Sequence, residues 1–388
     1  MIDSLTIRNF RLFDELEIPK LGQVNLIVGK NNSGKSSLLE ALSIFASQGN
    51  PATLNTLLGQ HDENLRFDNP LANSEVGTLE SSFRHFFPRR AFPERDGAPI
   101  YIGDKNKDAF VQIEHRLFQE AFEEIQDEDG VIVRRLKRIP VEKDNPDLFS
   151  DQISPNQALH ISTKHRSFWL DIDDTSHVRR RSRFGGGEPG AIPYVYVPTD
   201  FVTSEQLAGM WDKAALTEAE HYLLQALRII EEDVTGLAFV SKEEGSFSRE
   251  AKRVAIVKLK DEPSPIPLAG MGDGMTRVLQ IVLSLFSAKG GILLLDEFEN
   301  GLHYSVQKQA WDLVLFLAKE LNVQVFATTH SRDCIEAFSA ASIDDTETDG
   351  MLFRFGKSIA SNDKGRVFAT VFTEERLGRL TEANIEVR

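Results

Sequence analysis

Gly29-Lys30-Asn31-Asn32-Ser33-Gly34-Lys35-Ser36-Ser37 is the stretch that decides the fold. It reads G-x-x-x-x-G-K-S, the spacing of a loop that wraps the phosphates of ATP or GTP. Before it, Gln23-Val24-Asn25-Leu26-Ile27-Val28 is β-branched and apolar enough to be a buried strand. After it, Ser36 to Ser47 carries Leu38, Leu39, Leu42 and Phe45 at helical spacing. The motif therefore falls between a strand and a helix N-terminus. Its glycines let the backbone wrap tightly. The loop and first-turn N–H groups then point at phosphate, helped by the positive end of the helix. The candidate nucleotide-binding residues are Gly29, Asn31, Asn32, Ser33, Gly34, Lys35, Ser36 and Ser37. Lys35 is placed to reach the β- and γ-phosphates, and Ser36 to ligate Mg²⁺.

The rest of the composition narrows the setting. A length of 388 residues predicts two or three domains. An apolar fraction of 41% and a charged fraction of 27% are those of an ordinary water-soluble chain. No run approaches a membrane-spanning length, and Met1-Ile2-Asp3-Ser4-Leu5 has neither the basic region nor the apolar core of a signal peptide. The single cysteine, Cys334, excludes an internal disulfide and any cysteine cluster for zinc. Together these predict a cytosolic protein without membrane contact. The net charge of −15 argues against a surface coated for nucleic acid, although a local basic patch is compatible with it.

Along the chain, Leu5 to Phe10 alternates like a strand, and a second strand is expected around Leu16-Glu17-Ile18. Arg8, Asn9 and Arg11 could reach a nucleotide from the first strand or form its polar, half-exposed face. Gln48-Gly49-Asn50-Pro51 ends the first helix. The pattern predicts a helix over 108–126, with Phe110, Ile113, Leu117, Phe118, Phe122 and Ile125 on one face, and a strand over 131–141. That strand carries Arg134, Arg135, Lys137 and Arg138. A second basic run, Arg179 to Arg183, precedes Phe184 and three glycines. Either run could hold nucleic-acid phosphates, or could simply be solvated. Tyr194-Val195-Tyr196-Val197 reads as a buried strand, Thr217 to Glu231 as an amphipathic helix and Arg253 to Lys260 as a strand.

Nucleotide chemistry returns near the C-terminal end. Gly270-Met271-Gly272-Asp273-Gly274 is a glycine-rich turn opening a helix that runs from Met275 to Ser287. Ile292-Leu293-Leu294-Leu295-Asp296-Glu297 is a buried strand whose C-terminal end presents two acids, where open α/β sheets bind ligands. Asp296 is placed to hold Mg²⁺, directly or through its water. Glu297 is placed to orient or deprotonate an attacking water. A helix is expected from about Ser305 to Lys319. Val323 to Thr328 is another strand, and it ends at Thr329-His330-Ser331. His330 could hydrogen-bond a γ-phosphate or that water. Lys35, Glu297 and His330 are the candidate catalytic residues, and Ser36 and Asp296 the candidate metal ligands.

In this order the pieces resemble the ATP-binding-cassette (ABC) ATPases. Within them they resemble the soluble branch of RecF-type ATPases and structural-maintenance-of-chromosomes heads, and especially the OLD-like AAA15 ATPases. The resemblance rests on Leu5 to Arg11, Gly29 to Ser37, Asp296-Glu297, Thr329-His330-Ser331, the degenerate signature Gly270 to Gly274 with Arg277, and the ending Val371 to Arg388. Glu299 to His303 would be the D-loop, and Gln112 is a candidate for the Q-loop glutamine. The resemblance implies an α/β P-loop ATPase of ABC type. Its N-terminal antiparallel β subdomain would join a mainly parallel sheet with flanking helices and a large mixed α/β insertion. The expected division is an N-terminal lobe over 1–50, an insertion or lid with remaining core elements over 51–264, and a C-terminal lobe over 265–388.

The same resemblance implies Mg²⁺-dependent hydrolysis of ATP sandwiched in a homodimer or higher assembly, with Gly272, Asp273 and Gly274 acting on the partner's nucleotide. It also implies a switch controlling a separately encoded effector in bacterial defence. The alternative is a RecF-like repair ATPase holding DNA through Arg134–Arg138 or Arg179–Arg183. Only 58 residues follow His330, and Asp344 to Asp349 lacks the spacing of the Toprim acids of OLD nucleases. That run is expected to be a loop, and no nuclease is expected in this chain.

Overall fold

The computed structural model describes residues 1–63, 82–93, 97–104, 109–126, 132–140, 156–172, 190–199, 202–242, 252–345, 347–358, 360 and 365–372. In chain order the elements begin with β1 (Leu5–Phe10), β2 (Phe13–Ile18), β3 (Val24–Gly29), α1 (Lys35–Ala46) and α2 (Pro51–Gln60). Then come β4 (Ile100–Gly103), β5 (Phe110–Gln126), β6 (Ile132–Pro140), β7 (Asn156–Thr163), β8 (Ser167–Asp171) and β9 (Tyr194–Val197). Two helices follow, α3 (Ser204–Ala214) and α4 (Glu218–Arg228), then β10 (Val234–Lys242), β11 (Lys252–Leu259) and β12 (Ile266–Pro267). The last third holds α5 (Asp273–Ser287), β13 (Ile292–Leu295), α6 (Tyr304–Glu320), β14 (Gln324–Thr329), α7 (Arg332–Asp344), β15 (Gly350–Lys357) and β16 (Val367–Phe372). They fall into two units. One comprises Met1–Leu5, Leu16–Ala46 and Ile192–Arg388; the other comprises Thr6–Glu15 and Ser47–Ala191.

The first unit is built on a six-stranded sheet in the order β16-β15-β3-β14-β13-β9. Every pair from β15 to β9 is parallel, and only the edge strand β16 runs antiparallel. β3, β13 and β14 are buried along their whole length, as strands covered on both faces must be. Alternation sorts their side chains. Val24, Leu26, Val28, Leu293, Leu295, Val325 and Ala327 join one core with the buried faces of α5, α6 and α7. On the sheet, α1 packs against β3, β9, β13 and β14. The small antiparallel sheet β10-β11-β12 and helices α3 and α4 share the same core through Val234, Val257, Leu223 and Trp211. Several helix N-termini carry side-chain caps. Thr203 forms a capping box with Gln206, Thr217 accepts from Ala219, and Ser331 accepts from Cys334.

The second unit carries an antiparallel sheet in the order β2-β1-β4-β5-β7-β8, with β6 also paired to β5. Here the helix expected over 108–126 is corrected to a strand, β5. Its first half pairs with β7 and its second half with β6. The apolar spacing that suggested a helix mixes the two faces of a strand. Val111 and Ile113 are buried on one face; Phe118 is buried on the other, beside Trp169 and beneath the Arg138 guanidinium. Ladder pairing on both sides outweighs the local pattern. The strand expected over 131–141 is present as β6. Asn50-Pro51, read as a stop, also starts α2: the Asn50 side chain accepts from Ala52 N, and Pro51 occupies the first turn.

The candidate polar residues of β1 and of the turn after it are engaged within this second unit. Arg8 pairs with Glu15 at 2.9 Å, and Asn9 donates to Pro99 O at 3.0 Å. Arg11 grips Glu63 with two 3.0 Å bonds, both side chains 11% exposed. On β6, the register sets Arg134, Arg135 and Arg138 opposite Glu124, Glu123 and Glu120. Arg138 bonds Asp171 at 2.8 and 2.9 Å. Gln112 lies on β5 and donates to Glu114. Arg179 to Arg183 and the chain beyond Phe372 lie outside the described residues. Of the acidic run, Asp344 ends α7 and pairs with Lys308, while Asp345 accepts from Glu347 N and Thr348 N in a turn. Among the described residues no helix is long and apolar enough to cross a membrane.

Gly291 fixes the approach of β9 to β13. A Cβ there would sit 1.9 Å from Pro193 O, the carbonyl that accepts from Ile292 N at 2.8 Å. Gly291→Ala is expected to push the two strands apart and lower stability by about 1–3 kcal/mol, measured by urea unfolding.

Candidate functional site

The phosphate loop leaves the C-terminal end of β3 and enters α1. Asn32 and Gly34 both take positive φ, +60° and +100°, which curls the loop around its own N–H groups. Ser33 is buried, and its Oγ has no hydrogen-bond partner in the loop. Lys35 Nζ is folded back onto the loop, donating to Gly29 O at 2.8 Å and Lys30 O at 3.2 Å. Burial pulls its pKa down, against the raising effect of Asp296, Glu297 and Glu299. A lysine that is half desolvated, bonded only to carbonyls and faced by acids is poised to take an anion.

Across the sheet, parallel pairing of β3, β14 and β13 brings their C-terminal ends to one edge. Ser36 Oγ lies 3.2 Å from Asp296 Oδ2, though the residues are 260 apart in sequence. Thr328 Oγ1, from the intervening strand, donates to Asp296 Oδ1 at 2.5 Å and accepts from Glu297 N at 2.9 Å. From the other side, the Tyr196 phenol hydrogen-bonds the Asp296 carboxylate. Burial first, and then the charges of Asp296 and Glu40, push that phenol far above its ordinary pKa, so it is a donor. The Asp296 carboxylate is thus fixed by neighbouring strands with one edge on Ser36. A hydroxyl and a carboxylate are the oxygen donors that Mg²⁺ accepts alongside phosphate oxygens and water, so the pair fits that ion.

Glu297 has a left-handed backbone, φ +49°, a conformation that costs a non-glycine residue about 1–2 kcal/mol. Two groups hold it. One is the Thr328 hydroxyl on its N–H. The other is Arg277, which donates at 2.7 Å to both Asp296 O and Glu297 O and at 3.2 Å to Pro198 O. Arg277 is fully buried on α5, and burial draws its guanidinium down to about 10, opposed by Glu299, Asp296 and Glu297. His330 follows β14, with Nδ1 at 3.4 Å from Glu297 Oε1 and 3.3 Å from Glu299 Oε1.

Gly272 and Asp273 lie on the surface at the start of α5. Gly272 takes φ +93°, and a Cβ there would meet nothing within 4 Å. Gly274 approaches Gly301 O instead. In the turn after Glu297, Asn300 donates to Thr199 O at 2.6 Å and His303 caps α6.

Sequence reasoning singled out Lys35, Ser36, Asp296, Glu297 and His330, and these are brought together within the first unit. It assigned no such position to Tyr196, Thr328, Arg277 or Glu299. Arg277 had a legible signal, a cation one turn before buried Ile281 in a helix that is otherwise mostly apolar. Thr328 and Tyr196 had none, because only strand order places them beside Asp296.

Replacing Arg277 with Met keeps the buried volume but takes a donor from three part-buried carbonyls, of which Glu297 O retains the Asn300 N–H. The expected loss is about 3–5 kcal/mol in urea unfolding, with Arg277→Lys intermediate because an ammonium lacks the forked reach.

Two family models match the chain. "AAA ATPase domain" matches residues 1–157, and "AAA domain, putative AbiEii toxin, Type IV TA system" matches residues 194–333. A Helicobacter pylori ATP/GTP phosphatase is 24% identical over 354 residues, covering 87% of each chain. An uncharacterized Methanocaldococcus jannaschii protein is 55% identical over 47 residues, 12% of this chain and 22% of that one. Among solved structures, an Smc head domain derived from Pyrococcus furiosus aligns with TM-score 0.47 and 11% identity, covering 99% of both chains. The phosphate loop lies inside the first match and Asp296, Glu297 and His330 inside the second, and in this the chain is similar to the ABC-type ATPases of the AAA15 family.

Proposed function

We propose that this protein is a cytosolic, ATP-driven switch that hydrolyses ATP between two protomers and passes the change to a separately encoded effector. The observation that carries the reading is the Ser36–Asp296 pair at 3.2 Å, at the head of α1 and next to Lys35, Glu297 and His330. Loop N–H groups from Gly29 to Ser37 bind the phosphates. Lys35 exchanges its loop carbonyls for the β- and γ-phosphates. Ser36 and Asp296 would hold Mg²⁺, which would supply charge neutralisation at the phosphates. Glu297 orients and deprotonates the attacking water, and His330 hydrogen-bonds the γ-phosphate or that water. The phosphatase activity in the name of the Helicobacter pylori relative supports hydrolysis rather than binding alone.

The dimer follows from chemistry left unused by one protomer. Gly272 and Asp273, with the half-buried Gly274 behind them, form a surface turn at the start of a 15-residue helix, where an anion is stabilised. The protomer's own nucleotide is already held by its own loop, so this turn serves the partner's. A role in bacterial defence, with the effector as output, rests on the AAA15 likeness alone. DNA binding through Arg134–Arg138 has less support, because acids stand opposite those arginines in the register.

Purified protein is expected to release phosphate from ATP only with Mg²⁺ present. Glu297→Gln should slow turnover by about 100-fold or more while keeping nucleotide bound, and should accumulate an ATP-dependent dimer in light scattering. Lys35→Ala should weaken ATP binding by about tenfold or more in titration calorimetry. Protein that turned over ATP equally fast after either change would overturn the assignment.

A further inference from the structure

Glu299 sits two residues beyond Glu297 in the turn after β13, with its side chain only 10% exposed. Its Oε1 accepts from the backbone N–H of His330 at 3.1 Å and of Ser331 at 3.2 Å. The same oxygen lies 3.3 Å from His330 Nδ1, and Glu297 Oε1 lies 3.4 Å from that nitrogen on the half-exposed ring. An ionised carboxylate only accepts. A ring nitrogen facing two of them therefore carries a hydrogen, and Nε2 is left as the nitrogen free of carboxylates.

We propose that Glu299 is the positioning residue of His330, fixing both where the imidazole stands and which nitrogen bears its proton. This rests on the reading that His330 serves the γ-phosphate or the attacking water. Glu297 cannot do the positioning alone, because turning toward that water takes it away from the ring. Glu299 is nearly buried and tied to two backbone N–H groups, so it keeps the ring when Glu297 turns. With the hydrogen on Nδ1, Nε2 of the uncharged ring form is the acceptor, held in a defined direction by the partner of the other nitrogen. Histidines at metal sites are oriented by the same kind of contact, and removing the orienting group there costs about 10- to 100-fold.

The test uses the full chain. Long-range ¹⁵N NMR of histidine-labelled protein, with His330 assigned by its loss in His330→Gln, is expected to show the Nδ1–H tautomer. Glu299→Ala should mix the tautomers and lower kcat by about 10- to 100-fold, with KM and the affinity for a fluorescent ATP analogue within about threefold. Combined with His330→Ala, it should cause no further loss, since Glu299 acts through the ring. If the alanine variant does not fold, Glu299→Gln keeps the acceptor oxygen and carries the same double-mutant comparison. A wild-type Nε2–H tautomer, or losses that multiply in the double mutant, would overturn the proposal and leave ATP hydrolysis intact. A wild-type protein without ATPase activity would sink the functional reading instead, while the tautomer result would stand.

Discussion

The Asp296 carboxylate is the fixed point of this molecule. Ser36, Thr328 and Tyr196 meet it from a helix and two strands, and none of these is close to it in sequence. What makes them converge is the register of a parallel sheet. Leu295 stands opposite Ala327 and Val197, and Thr328 stands opposite Ile27, so the strand ends finish at one level. A slip of two residues between β13 and β14 would keep every apolar side chain on its correct face. It would also move the carboxylate by about 6–7 Å along the strand, out of reach of the Ser36 hydroxyl. The apolar pattern alone therefore does not secure the site. The register is held by specific polar bonds, including those of buried Asn25 and Gln324 to backbone groups at the opposite end of the sheet.

The second constraint is backbone strain at Glu297. A glutamate in the left-handed region persists only where its surroundings over-determine it. Here the Thr328 hydroxyl fixes its N–H and the Arg277 guanidinium its carbonyl. Burying an arginine is expensive unless its donors are used; Arg277 places its two terminal nitrogens on three carbonyls and leaves Nε buried without a hydrogen bond. The result is a rigid link between α5, whose first residue is exposed, and the peptide that carries the two acids. Rigid support of this kind is what a reacting group requires, since an ångström of looseness loses most of the benefit of proximity.

The second unit is organised differently. Its long strand β5 changes partner along its length, and several of its cations are matched by acids: Arg8 by Glu15, Arg11 by Glu63, and Arg138 by Asp171. Surface pairs of this kind add little stability singly. Arg11 and Glu63 are the exception in burial, and their forked geometry with the Phe86 ring beneath the guanidinium makes them a local clamp.

Residues close in sequence settled much of this protein by themselves. The phosphate loop, its strand and helix, the acid-ended strand, His330 after β14 and the amphipathic helices were legible because periodicity and motif spacing are local properties. The same local signal failed over 108–126, where apolar residues three and four apart belong to the two faces of a strand, and only ladder partners on both sides reveal it. The sequence also named Ser36 and Asp296 as metal ligands without showing that they meet. Tertiary structure decided that, together with the places of Thr328, Tyr196, Arg277 and Glu299. The physical reason is that contacts between residues up to 260 positions apart depend on strand order and register, and neither is written in any one segment of the chain.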